Sequence, residues 1–379
     1  MNVAIDASCL LINPYSGLSE VVNNLLLQLP QIDDTVDISV FLNYFRTPAS
    51  KRNIAYQGAR NRIFKFPRRL MSLWWDFTWP SIDFCLKGVD IYHSLHIRVP
   101  PAKKIKTVLT VHDCRYLAFP ELYSSRAVQI YRRQMETSLS RADQVVTVSE
   151  FTRQEVIRFF SFPKDRISTI YNGFSPYDIE KECNIKKFDR FFEENKLPRV
   201  YLLYTGVLDP RKNLARLIEA FALAKRDGDK FPDLIIAGIP QQEWKDSILA
   251  ARARQLCVLE NIHVCGIVKK EILVGLIREA HALCYPSQYE GFGFPPLEAM
   301  SLGVPVLAGN SSAIPEIAGP AACLIDPLSV DEIAKGLMKI VYDSDYRQHL
   351  TDLGYHQADK YSWRKAAAEY IDIYKMLIP

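Results

Sequence analysis

Twelve short runs rich in Val, Ile and Leu, spaced along the chain and separated by longer amphipathic stretches, constrain the fold more than any other feature. The first six are "NVAIDA", "DISVFLN", "VDIYHSL", "KTVLTVHD", "DQVVTVS" and "ISTIYNG". The second six are "VYLLYTGVL", "DLIIAGIP", "IHVCGIV", "ALCYPS", "VPVLAGN" and "ACLID". They are apolar almost without interruption, as strands covered on both faces must be. Helical stretches such as "SEFTRQEVIRFF" and "NLARLIEAFALAKRD" lie between them. Strand and helix in alternation predict parallel sheets with helices on both faces, an α/β architecture.

Twelve strands are too many for one strongly twisted open sheet. The charged stretch "SPYDIEKECNIKKFDRFFEENKLPR" has no strand character and sits near the middle. It predicts a join between two Rossmann-like, doubly wound domains, 1–175 and 199–361. The last segment, "SWRKAAAEYIDIYKML", predicts a helix capped by Ser362. Doubly wound sheets bind ligands outside the carboxyl ends of their strands. Residues that follow strands are therefore the candidates for chemistry.

The stretch "SQYEGFGFPPLEAM" follows the strand "ALCYPS". Gly291 and Gly293 let backbone amides approach a ligand closely. Pro295 and Pro296 suit the start of a helix, which places Glu298 in its first turn and Glu290 on the loop before it. A carboxylate accepts two hydrogen bonds from a diol, so two such acids suit a ribose and a sugar ring. Read alone, another explanation stays open: Glu298 favours the helix macrodipole and Glu290 is solvated.

In "GVLDPRKNLARLIEAF", Arg211 and Lys212 stand at the expected start of a helix near Asn213. Cations oppose the positive helix end unless an anion sits there. A phosphate is one reading; a solvated surface pair is the other. In the first strand–loop–helix, Gly17 offers a close approach to phosphate, a weak signal because no G-x-G-x-x-G is present. His112 and Asp113 end the strand "TVLTVHD". His112 suits a hydrogen bond to a sugar hydroxyl or a phosphate, although a lone histidine is more often structural.

With these segments in view, the chain resembles glycosyltransferase family 4, the retaining transferases of the GT-B fold. Its E-x7-E signature is Glu290 to Glu298, within "YPSQYEGFGFPPLEAMSLGVPVLAGNSSAIPEIAG". The segments "GVLDPRKNL", "ADQVVTVSEFT", "IYNGF" and the final "SW" helix fit as well. The resemblance implies two Rossmann-like domains facing across a cleft. The first would bind the acceptor, and the helix at 362–379 would pack back on it; the second would bind a nucleotide-sugar donor. On matching positions, Glu298 would hold the ribose and Glu290 the transferred sugar, with the amides of Gly291, Phe292 and Gly293. Arg211 and Lys212 would hold the diphosphate, aided by Gly17, and His112 would lie near the reacting sugar. One departure is Ser19, where many relatives have a second glycine.

The same resemblance implies that configuration is retained without a covalent carboxylate nucleophile. It calls for no metal and no cofactor beyond the donor. "DGD" (227–229) and "DSD" (343–345) follow helices and predict surface turns, and "HSLH" (93–96) predicts a structural role. The segment "TVHDCRYLAFPE" resembles mannosyl- and rhamnosyl-type transferases of surface polysaccharides, which makes GDP-mannose the expected donor. Other GT-B activities, an epimerase or a phosphorylase, and a non-catalytic nucleotide- or glycan-binding protein are the alternatives.

Residues 51–70 carry seven Lys/Arg and no Asp or Glu, and Trp74, Trp75 and Trp79 follow. Basic and aromatic residues together suit an anionic membrane surface, and so a lipid-linked glycan acceptor. The competing expectation is that the tryptophans pack the first domain. The net charge of +4 gives no reason to expect a nucleic-acid partner. Eight cysteines without a C-x-x-C pair predict reduced thiols. The N-terminus enters a strand at once, without a basic leader, and no apolar run approaches a membrane span. A cytoplasmic enzyme, peripheral on the membrane, is the expectation.

Overall fold

The computed structural model describes residues 1–12, 16–43, 60–64, 71, 74–77, 80–174, 185–226 and 230–378. The chain divides into two compact units, Met1–Gly173 with Tyr361–Pro379, and Phe174–Lys360. Most of the basic stretch 51–70, together with Trp79 and the "DGD" turn, lies outside the described residues.

The first unit holds a seven-stranded parallel sheet in the order β3-β2-β1-β4-β5-β6-β7. Its strands are β1 (Asn2–Asp6), β2 (Asp37–Asn43), β3 (Arg60–Phe64), β4 (Ile91–Ser94), β5 (Lys106–Val111), β6 (Gln144–Thr147) and β7 (Ile167–Thr169). Helices α1 (Gly17–Ile32), α2 (Ser125–Arg141) and α3 (Glu150–Phe160) connect strands of this sheet. All six expected runs form strands. The seventh, β3, is new: "RNRIF" is too polar to read as a buried strand, and it lies at the sheet edge, where one partner suffices.

The second unit holds a six-stranded parallel sheet in the order β10-β9-β8-β11-β12-β13. These strands are β8 (Tyr201–Thr205), β9 (Asp233–Ala237), β10 (Ile262–Gly266), β11 (Ala282–Tyr285), β12 (Val306–Gly309) and β13 (Ala322–Ile325). Helix α4 (Ile185–Glu194) precedes β8, α5 (Leu214–Lys225) follows it, α6 (Phe294–Ser301) follows β11, and α7 (Val330–Tyr342) follows β13. Leu217, Ile218 and Phe221 of α5 pack with Ile333 and Leu337 of α7 against Tyr204, Ile236 and Leu307 of the sheet. Each such fully buried aliphatic or aromatic side chain contributes about 1.5–3 kcal/mol. Winding reverses between β1 and β4 in one sheet and between β8 and β11 in the other, so each unit has one switch point. The α/β architecture read from the alternating runs is therefore the one found.

The last helix, α8 (Trp363–Leu377), belongs to the first unit and packs along α1. Ser362 caps it, accepting a hydrogen bond from the Lys365 amide at 3.2 Å. A buried polar network fixes its inner face. His93 on β4 bonds Tyr374 through Nδ1 at 2.7 Å and Thr110 through Nε2 at 2.8 Å. Thr110 in turn meets the Tyr370 hydroxyl at 3.1 Å. Both ring nitrogens of His93 are thus engaged within the protein, which is the structural role expected for "HSLH". Asp343 of "DSD" caps the following helix by accepting from the Tyr346 amide at 2.9 Å.

Trp75 is buried edge-on against Tyr92, and Trp74 packs beside it with its Nε1–H donated to the Pro80 carbonyl. These two tryptophans serve the core of the first unit. Cys114, Cys265, Cys284 and Cys323 are buried free thiols, whereas Cys257 is exposed. Among the described residues no helix is long and apolar enough to cross a membrane.

Gly173 lies where the chain leaves the first unit. A Cβ there would stand 2.1 Å from the Trp363 backbone nitrogen, so no side chain fits. Gly173→Ala is expected to lower stability by about 1–3 kcal/mol through forced backbone displacement, read as a shift of the urea midpoint. An unshifted midpoint would contradict the tight contact.

Burial, reinforced by His112, draws the pKa of His93 down to about 3 from the usual 6.5. Its contribution is complete above pH 6.5 and is lost as pH falls toward 3, because the unfolded chain takes up the proton first. Between pH 6.5 and 5, His93→Asn should lose about 2 kcal/mol less stability than the wild type. Equal losses in urea titrations at the two pH values would contradict this.

Candidate functional site

The switch point of the second unit is built from the loops that follow β8 and β11. After β8 the chain makes a 3-10 turn at Pro210–Lys212, opened by Asp209, and only then enters α5. Asn213 separates turn from helix in a left-handed conformation, φ 61°, which Asn tolerates better than most residues. Arg211 and Lys212 therefore occupy the turn before the helix, and not the helix start expected from the sequence. The left-handed residue breaks the register, a feature that apolar periodicity does not reveal.

The two loops are stitched together before any side-chain charge is considered. The Gln288 amide donates to the Arg211 carbonyl at 2.8 Å, and the Ser287 hydroxyl oxygen lies 3.1 Å from the same carbonyl oxygen. Asn213 Nδ2 donates to the Pro286 carbonyl at 3.0 Å, and Gln288 Nε2 to Asn213 Oδ1 at 3.1 Å. The loop after β12 joins them, since the Glu290 amide donates to Ser312 Oγ at 2.9 Å. Backbone bonds thus fix where Lys212 and Glu290 can point.

Lys212 and Glu290 meet directly. Nζ donates to Glu290 Oε1 at 2.7 Å and to the Tyr285 hydroxyl at 2.8 Å, and it lies 4.9 Å from the centre of the Tyr285 ring. Ser287 Oγ donates to Glu290 Oε1 at 2.6 Å. Burial pushes the Glu290 carboxyl upward, but the Lys212 charge and the bonds from Lys212, Ser287 and Tyr285 outweigh it. Its pKa ends below the usual carboxylate value, so Glu290 is ionised at neutral pH.

Arg211 is only 6% exposed. Its Nε donates to Asp209 Oδ1 at 3.1 Å, Nη2 reaches the other carboxylate oxygen, and its amide caps Oδ1 at 3.0 Å. Burial raises the Asp209 carboxyl, yet the Arg211 side chain and amide draw it below its ordinary value. The guanidinium is held as one half of a fork-to-fork pair.

The segment after Glu290 is shaped by Gly293 and Phe292. Gly293 has φ 127°, a conformation a side chain would strain, and a Cβ there would press on Ile314 Cδ1 at 2.8 Å. Phe292 is buried, its ring 5.1 Å from that of Phe294. Helix α6 starts at Phe294, one residue before the prolines, so Glu298 falls on its second turn. The first-turn position expected for it is corrected, and with it the reading that Glu298 serves the helix dipole, an effect confined to the first turn. Glu298 is half-buried, and its charge is felt by Tyr285.

Gly17 and His112 belong to the first unit. Gly17 is the first residue of α1, after Ser16, whose hydroxyl accepts from the Ser19 amide at 3.2 Å. Ser19, the departure from the resembling family, is buried. His112 Nε2 lies 3.2 Å from the Leu95 carbonyl. A carbonyl only accepts, so Nε2 carries the hydrogen and Nδ1 presents a lone pair. Burial, only partly offset by Asp113, draws its pKa down to about 4, and the imidazole is neutral at pH 7.

Several residues of this site were not singled out from the sequence. Asp209, Asn213, Tyr285 and Ser287 carry most of its internal bonds. The Asp-Pro pair before two cations hinted at a capped turn. Tyr285 gave only its position as the last strand residue. Among the described residues no cluster of three or more His, Cys, Asp or Glu side chains is placed to hold a metal ion.

Comparison with known proteins adds to this geometry. Residues 15–176 match the family model described as Glycosyltransferase Family 4, and residues 185–357 match Glycosyl transferases group 1. The chain is 33% identical over 292 residues to O-antigen chain mannosyltransferase B of Escherichia coli, spanning 76% of this chain and 74% of that protein. Among solved structures, sucrose-phosphate synthase of Thermosynechococcus elongatus superposes with a TM-score of 0.77 at 17% identity, covering 100% of this chain and 99% of the other. HepE of Anabaena, solved in complex with UDP, gives 0.72 at 15% identity, with 99% of each chain covered. The two structural likenesses speak to the fold.

The Asp209–Arg211 fork carries a prediction of its own. Asp209→Asn keeps one acceptor and removes the charge, so it is expected to destabilise the second unit by about 2 kcal/mol. Urea unfolding followed by tyrosine fluorescence measures it, and an unchanged midpoint would show that other groups hold the guanidinium.

Proposed function

The chain belongs to glycosyltransferase family 4 and is a glycosyltransferase of the GT-B fold; from that premise we propose that it moves a hexose, with retention, from a nucleoside diphosphate sugar to a glycan. GDP-mannose is the donor to test first, because the relative at 33% identity is named a mannosyltransferase. That relative's name also supports a place in surface polysaccharide synthesis and a glycan or lipid-linked glycan as acceptor. An anionic membrane surface near residues 51–79 would suit a lipid-linked acceptor.

The observation that carries the reading is the contact of Lys212 with Glu290 at the switch point of the second sheet. Such a place brings one firm cation and one ionised acid within a few ångströms of a ligand. In our reading Arg211 and Lys212 hold the diphosphate. Glu290 and the amides of Gly291, Phe292 and Gly293 hold the sugar, and Glu298 holds the ribose. Gly17 would contribute an amide to the phosphates. His112 is neutral, which suits a sugar hydroxyl better than a phosphate.

The chemistry follows from charge. When the bond from the anomeric carbon to the phosphate oxygen breaks, negative charge grows on the leaving diphosphate. Arg211 and Lys212 stabilise that charge most in the transition state, which lowers the barrier. The acceptor hydroxyl attacks from the face the diphosphate is leaving. Its proton passes to the departing phosphate oxygen, and the new glycosidic bond keeps the original configuration. With two fixed cations at the leaving group, no divalent ion is required.

The test is acceptor-dependent release of nucleoside diphosphate from a panel of nucleotide sugars. Arg211→Ala is expected to lower turnover about 100-fold or more, the loss typical of one charge-stabilising donor. A chelator should change the rate by less than twofold, given those cations. Wild-type turnover in the variant would refute the assignment. Midpoint shifts with GDP, UDP, ADP and dTDP identify the base, because a bound ligand raises the melting point.

A further inference from the structure

Tyr285 is the last residue of β11, at the switch point, and its side chain is 2% exposed. Its hydroxyl sits between the two ions of the site. An ammonium can only donate, so the phenol oxygen accepts from Lys212 Nζ at 2.8 Å. The phenol then has one hydrogen to give, and the charged group it neighbours is Glu290, a carboxylate that can only accept. With the bond from Lys212 to Glu290 at 2.7 Å, the phenol and the carboxylate form a ring of neighbours around one ammonium.

That ring has a consequence for catalysis, given the donor-site reading above. A diphosphate that engages Lys212 must draw the ammonium away from Glu290. Nζ has three hydrogens, so it can turn one toward phosphate while another stays on Tyr285. Glu290 meanwhile keeps the Ser287 donor at 2.6 Å and the phenol of Tyr285 beside it. We propose that Tyr285 is a positioning residue for transfer: its phenol anchors the Lys212 ammonium as that group passes from Glu290 to the leaving diphosphate, and it holds the Glu290 carboxylate in place for the sugar.

A phenylalanine at this position keeps the ring beneath the ammonium, 4.9 Å from Nζ, and the packing of a buried strand end. It removes the hydroxyl, and with it the bond from Lys212, and nothing else. The charged and titratable groups around Glu290 are Lys212 from the turn after β8, Tyr285 from β11 and Tyr204 from β8. Glu298 of α6 acts on Tyr285, and Asp209 acts on Tyr204. Glu290 has its carboxyl below the ordinary value, in part because Tyr285 donates to it. Loss of that donor must raise it, and the acid limb of the turnover–pH profile moves to higher pH.

The experiment compares Tyr285→Phe with the wild type in steady-state transfer across pH. The expected result is a kcat about 10- to 100-fold lower, the range for hydrogen bonds to charged groups, with donor KM within about threefold and the acid limb shifted upward. An unchanged kcat and acid limb would overturn the role of Tyr285, and so would a change confined to donor KM. Replacement of Tyr285 by 3,5-difluorotyrosine preserves the shape should the phenylalanine variant fold poorly. A more acidic phenol donates more strongly to Glu290, so the acid limb should then move to lower pH; no movement would also overturn the proposal. Lys212→Ala separates this inference from its premise. If that variant turns over like the wild type, the donor-site reading itself fails. If it is inactive while Tyr285→Phe is normal, only the role of Tyr285 fails.

Discussion

A half-buried ammonium and a half-buried carboxylate, Lys212 and Glu290, lie 2.7 Å apart where the second sheet reverses its winding. Neither ion could be taken out of water alone. Desolvating an unpaired charge costs several kcal/mol, and the pair with its extra hydrogen bonds offsets that cost. This constraint shapes the loops around it. The carbonyl of Arg211 accepts from the Gln288 amide, the Glu290 amide leans on Ser312, and Asn213 turns the chain through a left-handed residue. The strands serve to bring these loops to one edge.

The same arrangement explains why a site can be stable and still be ready for a ligand. Each ion satisfies the other in the free protein, so no charge is left unpaired while the site waits. In the proposed reaction a diphosphate would replace the carboxylate as partner of Lys212, and sugar hydroxyls would replace the ammonium as partners of Glu290. Such an exchange would conserve the number of charge-assisted bonds and so keep the cost of binding low. Arg211 contributes differently. Its guanidinium is fixed in a fork with Asp209, so its charge is held in one orientation and, in the proposed reaction, would need little reorganisation.

How much of this could be read from the residues depends on the kind of interaction. Strands covered on both faces announce themselves as unbroken runs of Val, Ile and Leu, and all twelve such runs are strands. The edge strand β3 needs only one partner, so "RNRIF" carried no such signal. The acids Glu290 and Glu298 stood out by residue type and spacing, because carboxylates on a glycine-rich loop are unusual. Their partners did not. Tyr285 looks like one more apolar strand residue, and Asp209 like one more turn former. Their roles depend on contacts between loops about 75 positions apart in sequence, as with Tyr285 and Lys212, which no local pattern encodes. The helical register of Arg211, Lys212 and Glu298 also shifted, since caps and 3-10 turns move boundaries by a residue or two without altering periodicity. In the first unit, the pairing of His93 with Tyr374 spans 281 positions and is equally silent in the sequence.

The central claim is that the Lys212–Glu290 pair opens to receive an activated sugar. A crystal structure of the chain with a bound nucleoside diphosphate sugar tests it most directly. The account predicts a phosphate oxygen within hydrogen-bond reach of Lys212 Nζ, the Tyr285 contact retained, and Glu290 turned to sugar hydroxyls. A diphosphate bound elsewhere, with Lys212 still closed on Glu290, would contradict it.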